Sequence, residues 1–144
     1  MITYPNAKIN IGLNVVEKRQ DGYHNIETVF YPIGLCDVLE IEPSEGCTDY
    51  SFSASGIPLS GDPEENLIVK AYRLLQSEYD IPPVDISLIK QIPFGAGLGG
   101  GSADAAFTLK MLNEMFELKI TPRKLEKMAA DLGADCPVFI RNKA

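Results

Sequence analysis

The chain has 144 residues, 45% of them hydrophobic and 23% charged, with a formal net charge of -7. That length suits one domain around a single core, and the acidic balance argues against a broad nucleic-acid surface, which lysine and arginine must supply. No apolar run approaches the roughly 18 residues a membrane span needs, and the N-terminus lacks the basic start and apolar stretch of a signal peptide, so a cytoplasmic chain is expected.

Residues 6–16 alternate, with Ala7, Ile9, Ile11, Leu13 and Val15 on one face and Lys8, Asn10, Gly12 and Asn14 on the other. This spacing predicts a half-buried strand that carries Lys8 and Asn10 side by side. After an Asp21-Gly22 turn signal, NIETVFYPIGL and DVLEIEP read as strands, followed by a shorter one around DYSFSAS. Residues 44–66, polar and turn-rich, read as surface loops around that short strand. From Asn66 the period changes, and Leu67, Ile68, Ala71, Leu74 and Leu75 form a helical stripe, with Asp62 or Asn66 as cap and Pro63 near the start. This helix should end before Pro82. Residues 84–92 alternate again, and Ala105, Leu109, Leu112 and Phe116 then recur at helical spacing. Thr121-Pro122 and Gly133 bracket a last helix, and Cys136–Ile140 looks like the start of another strand. Amphipathic strands grouped ahead of the helices suggest an α+β fold, a mainly antiparallel sheet with helices packed on one side. Cys36, Cys47 and Cys136 are widely spaced, form no CxxC pair and have only His24 for company, so they read as reduced thiols in or near a core rather than a zinc site.

The stretch PFGAGLGGGSADAA, residues 93–106, sets five glycines between Gly95 and Gly101 directly before a helix. Such a loop exposes main-chain N–H groups, and the helix N-terminus adds free N–H groups and about half a positive charge, which together suit phosphate. The Walker A form is excluded, because Gly101 runs straight into Ser102 and the first lysine after the loop is Lys110. Gly95, Gly97 and Gly100 satisfy GxGxxG, yet the acidic residue a dinucleotide unit wants about 20 residues later falls at Glu114 or Glu117, at the end of a helix.

The same stretch resembles the phosphate-binding motif of the GHMP kinases, Pro-x-x-x-Gly-Leu-Gly-Ser/Gly-Ser/Gly-Ser-Ala. AKINIGLNV, DGYHNIETVF, NLIVKAYRLL and GADCPVFI extend the resemblance over nearly the whole chain, and DGYH and GADCP are similar to one branch of that family. The resemblance implies a GHMP-kinase N-terminal domain over residues 1–144, with ATP phosphates on Pro93, Gly95, Ala96, Gly97, Leu98, Gly99, Gly100, Gly101 and Ser102. The Ser102 hydroxyl would reach phosphate or Mg²⁺. It implies catalysis by Lys8 and Asp135: the aspartate as general base on the substrate hydroxyl, the lysine orienting it and stabilising the developing oxyanion. It further implies that Asn10, Tyr23, His24 and Phe30 bind the substrate, a cytidine diphosphate conjugate of methylerythritol used in isoprenoid biosynthesis. Read without the family, Lys8 is a solvated strand lysine, Asp135 a turn or cap former, His24 a surface group and Phe30 a possible core residue. Two departures stand out: Ala103 replaces a second serine of many relatives, and a C-terminal domain of comparable size is absent, so the chain is expected to be incomplete for catalysis. Two other readings stay open, a GHMP kinase for another alcohol such as a polyol or homoserine, and a non-catalytic nucleotide- or RNA-binding module. The oligomeric state is not legible.

Overall fold

In the structure, a computed structural model that describes all 144 residues, apolar alternation is realised most cleanly in β6 (Val84–Lys90). Val84, Ile86, Leu88 and Lys90 point inward and Asp85, Ser87 and Ile89 outward. This strand is the third of a four-stranded sheet ordered β1 (Ile2–Thr3), β4 (Val38–Pro43), β6, β5 (Tyr50–Gly56). The β1/β4 and β4/β6 pairs are antiparallel, whereas β5 runs parallel to β6. A parallel pair needs a long crossover, and helix α1 (Leu67–Glu78) supplies it.

One face of the sheet is packed and the other polar. Leu39, Ile41 and Ile86 are buried in one core with Tyr72 and Leu75 of α1, Leu109 and Leu112 of α2 (Gly100–Met115), Leu125 and Met128 of α3 (Pro122–Leu132), and Phe139 of α4 (Cys136–Arg141). On the opposite face Ser51 Oγ donates to Asp85 Oδ1 at 2.5 Å, and the Ser53 and Ser87 hydroxyls lie 3.2 Å apart. The caps fall where the sequence signals them. Asn66 Oδ1 accepts the Ile68 N–H at 2.9 Å, Thr121 Oγ1 accepts that of Lys124 at 3.3 Å, and Asp62 caps the short 3₁₀ turn Pro63–Glu65.

Two expectations are corrected. Residues 136–140 form α4 rather than a strand: Asp135 stands at the N-cap and Pro137 in the first turn, where its fixed φ and missing N–H cost nothing. The strand that includes Ala7–Val15 is real but is not buried along its apolar face. β2 (Asn6–Lys18) pairs only with β3 (His24–Cys36) in a two-stranded ribbon, and register shifts fall between Asn6 and Lys8, Ile11 and Leu13, and Val15 and Glu17. Only its first three residues reach the core, while Ile11, Leu13 and Val15 are each more than half exposed.

Where β6 ends, a buried ionic cluster holds the chain. Lys90 Nζ lies 2.5 Å from Asp37 Oδ2 and 2.8 Å from Asp104 Oδ2, with all three residues almost inaccessible to solvent. Asp37 Oδ1 also accepts the N–H groups of Gln91 at 2.6 Å and Ile92 at 2.8 Å, so one carboxylate fixes the exit of β6 into the glycine-rich loop. Removing one member of a buried ion pair strands the other charge. Asp37→Ala is therefore expected to lower the unfolding free energy by about 3–5 kcal/mol in urea denaturation; a loss below about 1 kcal/mol, the scale of a surface pair, would show that the cluster does not hold this junction.

Candidate functional site

The glycine-rich loop joins β6 to α2, and its glycines at 95, 97 and 99 alternate in left-handed conformation, with φ of +68°, +73° and +72°. Close approach explains two of the glycines directly. A Cβ on Gly99 would stand 3.0 Å from the Phe139 ring and 3.1 Å from Lys8 Cε, and one on Gly100 would stand 2.8 Å from Ile92 Cγ2 and 3.0 Å from Lys90 Nζ. Gly99 is the N-cap of α2, so no side chain caps the helix, and its first turn carries no acidic residue. The free N–H groups and the positive end of the helix are thus left uncompensated. They border a hollow of about 190 Å³ lined by Leu67 and residues 93–102.

Lys8 packs against the loop at Leu98 and Gly99. Its N–H donates to Leu98 O at 2.9 Å, which bolts β2 to the loop. Its ammonium, on a residue 4% exposed, lies 3.3 Å from Asp135 Oδ2, donates to Asn10 Oδ1 at 2.6 Å and sits 5.1 Å from the centre of the Phe30 ring. A solvated edge lysine, the reading of Lys8 without the family, is therefore not what the fold contains. Asp135 occupies the N-cap of α4 but makes no capping bond with its side chain; the carboxylate turns to Lys8 and remains about a third exposed. Asn10 is oriented in turn by its Nδ2 donating to Thr28 Oγ1 at 3.2 Å, a partner the sequence did not mark. Phe30 faces Asn10 across the ribbon. Beyond this cluster a cleft of about 720 Å³ runs along Thr28, Phe30, Pro137 and Val138.

The Ser102 hydroxyl, in the first turn of α2, and the Cys136 thiol both lie against Gly133, 3.9 and 3.2 Å from where a Cβ would stand there, and burial pushes that thiol up from its ordinary value. The hydroxyl therefore sits beside the α3–α4 junction that carries Asp135. Ala103 is fully buried in the core, so a side chain at this position packs under the loop instead of facing the hollow. Tyr23 and His24 lie elsewhere. Both are exposed at the far end of the β2–β3 ribbon, where Tyr23 N–H donates to Asp21 Oδ1 and His24 pairs with Lys18. His24 lies six positions from Phe30 along the strand, roughly 20 Å at about 3.3 Å per residue, so the structure does not bring Tyr23 and His24 to Lys8 and Asp135.

A larger groove, about 750 Å³, opens on the other side of the loop between β5, the 3₁₀ turn, the start of α1 and the head of α2. Leu67, Phe94 and Gly101 line both it and the loop hollow, and Lys90 and Asp104 lie along it. No local motif announces this groove, because its walls come from four separate segments. Burial pushes the Asp104 carboxyl up to about 7 against the pull of Lys90, from an ordinary 3.8. A carboxyl raised by folding stabilises the fold below its unfolded value and loses that contribution as pH climbs through its folded one. The wild-type chain should therefore lose stability relative to Asp104→Asn between about pH 4 and pH 7 and level off above that window; parallel stability profiles for the two proteins in urea titrations would contradict the assignment.

The chain is similar to known proteins in sequence and in fold. Residues 66–143 match the family model for the GHMP kinases N terminal domain. The chain is 62% identical over 144 residues to a 4-diphosphocytidyl-2-C-methyl-D-erythritol kinase of Bacteroides fragilis, covering 99% of this chain and 53% of that protein. It is 59% identical over 143 residues to the kinase of the same name from Bacteroides thetaiotaomicron, covering 99% and 52%. A crystal structure of 4-(cytidine 5'-diphospho)-2C-methyl-D-erythritol kinase superposes with a TM-score of 0.81 at 38% identity, over 99% of this chain and 49% of that one. The mevalonate kinase of Methanococcus jannaschii shares the fold at a TM-score of 0.66 and 16% identity, over 100% and 48%. The chain spans about half the length of the curated relatives it matches.

Proposed function

From the premise that the chain belongs to the GHMP kinase family, we propose that residues 1–144 are the N-terminal, ATP-binding domain of a kinase that phosphorylates a hydroxyl of 4-diphosphocytidyl-2-C-methyl-D-erythritol in isoprenoid biosynthesis. The observation that carries this reading is the ion pair of Lys8 with Asp135, 3.3 Å long, held against the glycine loop by the Lys8 N–H to Leu98 O bond.

In this reading the loop amides from Gly95 to Gly101 and the head of α2 hold the ATP phosphates, and the nucleoside runs into the groove beside Phe94 and Leu67. The acceptor hydroxyl enters from the side of Phe30 and Asn10. Asp135 takes its proton as the alcohol oxygen forms the new bond to the γ-phosphorus and the bridging bond to the β-phosphate oxygen breaks, releasing ADP. Lys8 orients the carboxylate and stabilises the negative charge that develops between the two groups, while Asn10 fixes the direction of the ammonium. An ion such as Mg²⁺ would be carried largely by nucleotide phosphates and water. Ser102 is the group here that would touch it, and the ion would neutralise phosphate charge. The acceptor is the small cytidine diphosphate conjugate, and Tyr23 and His24 at the ribbon end are candidates to contact its base.

Asp135→Asn in a chain of the relatives' full length is expected to lower turnover by about 10²- to 10⁴-fold with the ATP dissociation constant nearly unchanged. An unaltered rate would remove Asp135 from the chemistry. Equal turnover of homoserine or a polyol would redirect the acceptor assignment to another alcohol.

A further inference from the structure

Asp104 and Asp37 share one ammonium but differ in what remains to be satisfied. Both oxygens of Asp37 are used, Oδ2 by Lys90 Nζ and Oδ1 by two main-chain N–H groups. Asp104 Oδ2 accepts from Lys90 Nζ at 2.8 Å, but its Oδ1 is buried without a hydrogen-bond partner, on a residue 3% exposed. Buried carboxylate oxygens are almost always hydrogen-bonded, and leaving one unmade is costly. Asp104 lines the groove of about 750 Å³ next to the glycine loop, and Lys90, which also lines it, already serves two carboxylates. Of the two carboxylates only Asp104 lines the groove, and it is the one with an acceptor left unfilled.

The groove also says what kind of donor fits. Asp62 and Glu65 stand on its wall and Lys90 is neutralised within it, so further phosphate or carboxylate groups are disfavoured there. A neutral group bearing N–H or O–H suits it. Phosphates seated on the loop would place a nucleoside, the uncharged half of a nucleotide, in this space.

We propose that Asp104 is a specificity-determining residue of the nucleotide site, its Oδ1 accepting a hydrogen bond from the nucleoside of the bound triphosphate, through either the amino group of the base or a ribose hydroxyl. The proposal rests on the nucleotide-binding reading above. It assigns Asp104 a task distinct from that of Asp37: Asp37 fixes the chain, while Asp104 presents an acceptor to the ligand.

The test measures binding of ATP, inosine triphosphate, 2'-deoxy-ATP and 3'-deoxy-ATP by calorimetry at pH 8.5, for the wild-type chain and for Asp104→Asn. The inosine nucleotide lacks the 6-amino group and the deoxy nucleotides each lack one hydroxyl. One analogue is expected to bind wild type about ten- to a hundredfold more weakly than ATP, the cost of leaving a charged buried acceptor unpaired. In Asp104→Asn, whose amide oxygen keeps Lys90 and whose NH₂ replaces the acceptor, that penalty should shrink below about threefold, on the scale of a minor contact. Asp104→Ser provides the same comparison if the asparagine variant does not fold, since Lys90 keeps Asp37 in both. The proposal is overturned if all three analogues bind wild type within threefold of ATP, or if the penalty is the same in the variant as in wild type. Failure of ATP itself to bind wild type would instead overturn the nucleotide reading, and this inference with it.

Discussion

Lys8 ties together three parts of the chain that are distant in sequence. Its main-chain N–H is bonded to the loop at Leu98, its ammonium meets Asp135 at the head of α4, and Asn10 on its own strand holds that ammonium in line. A lysine with so little exposed surface must be paired, because an isolated buried charge costs several kcal/mol. The demand for a partner thus ties the placement of Asp135, and with it α4, to the glycine loop. The consequence is chemical as well as structural. A carboxylate and a cation stand at the rim of a cup of free amides, the two kinds of group that proton transfer and phosphoryl transfer need within reach of one another.

The second buried lysine shows how environment divides roles between identical side chains. Lys90 is enclosed by two carboxylates that are themselves buried, and it anchors the strand exit beneath the loop. Lys8 shares its ammonium with a carboxylate that remains about a third exposed and therefore open to an incoming molecule. Lys8 approaches the loop at Gly99 and Lys90 at Gly100, and neither position has room for a Cβ at its present spacing. Both lysines thus pack directly against the loop backbone.

Local features were legible in the sequence and distant ones were not. The caps at Asn66 and Thr121, the terminating Gly133 and the alternation of Val84–Lys90 depend on neighbours a few residues away, and the chain folds there as its pattern indicates. The glycine loop was legible because its backbone demands are written in residue type. Cys136–Ile140 misled because Val138, Phe139 and Ile140 favour strands, whereas Pro137 sits in the first turn of a helix, the position that suits its fixed φ and missing N–H. The alternation from Ala7 to Val15 marked a strand correctly but could not tell that three register shifts and a single partner strand would leave most of its apolar side exposed. The meeting of Lys8 with Asp135 was indicated by family resemblance alone, and the groove at Asp104 by nothing local, since both are assembled from segments that only the fold brings together.

The central claim, that the amide cup at the head of α2 is the place where a nucleotide's phosphates are held, is tested most directly by following the amide resonances of this chain as a non-hydrolysable ATP analogue and Mg²⁺ are added. The account predicts saturable shifts at Gly95, Gly97, Gly99, Gly100, Gly101 and Ser102, with the main chain of Asp21–His24 at the ribbon end unmoved. Silent loop amides alongside shifts elsewhere on the chain would contradict it.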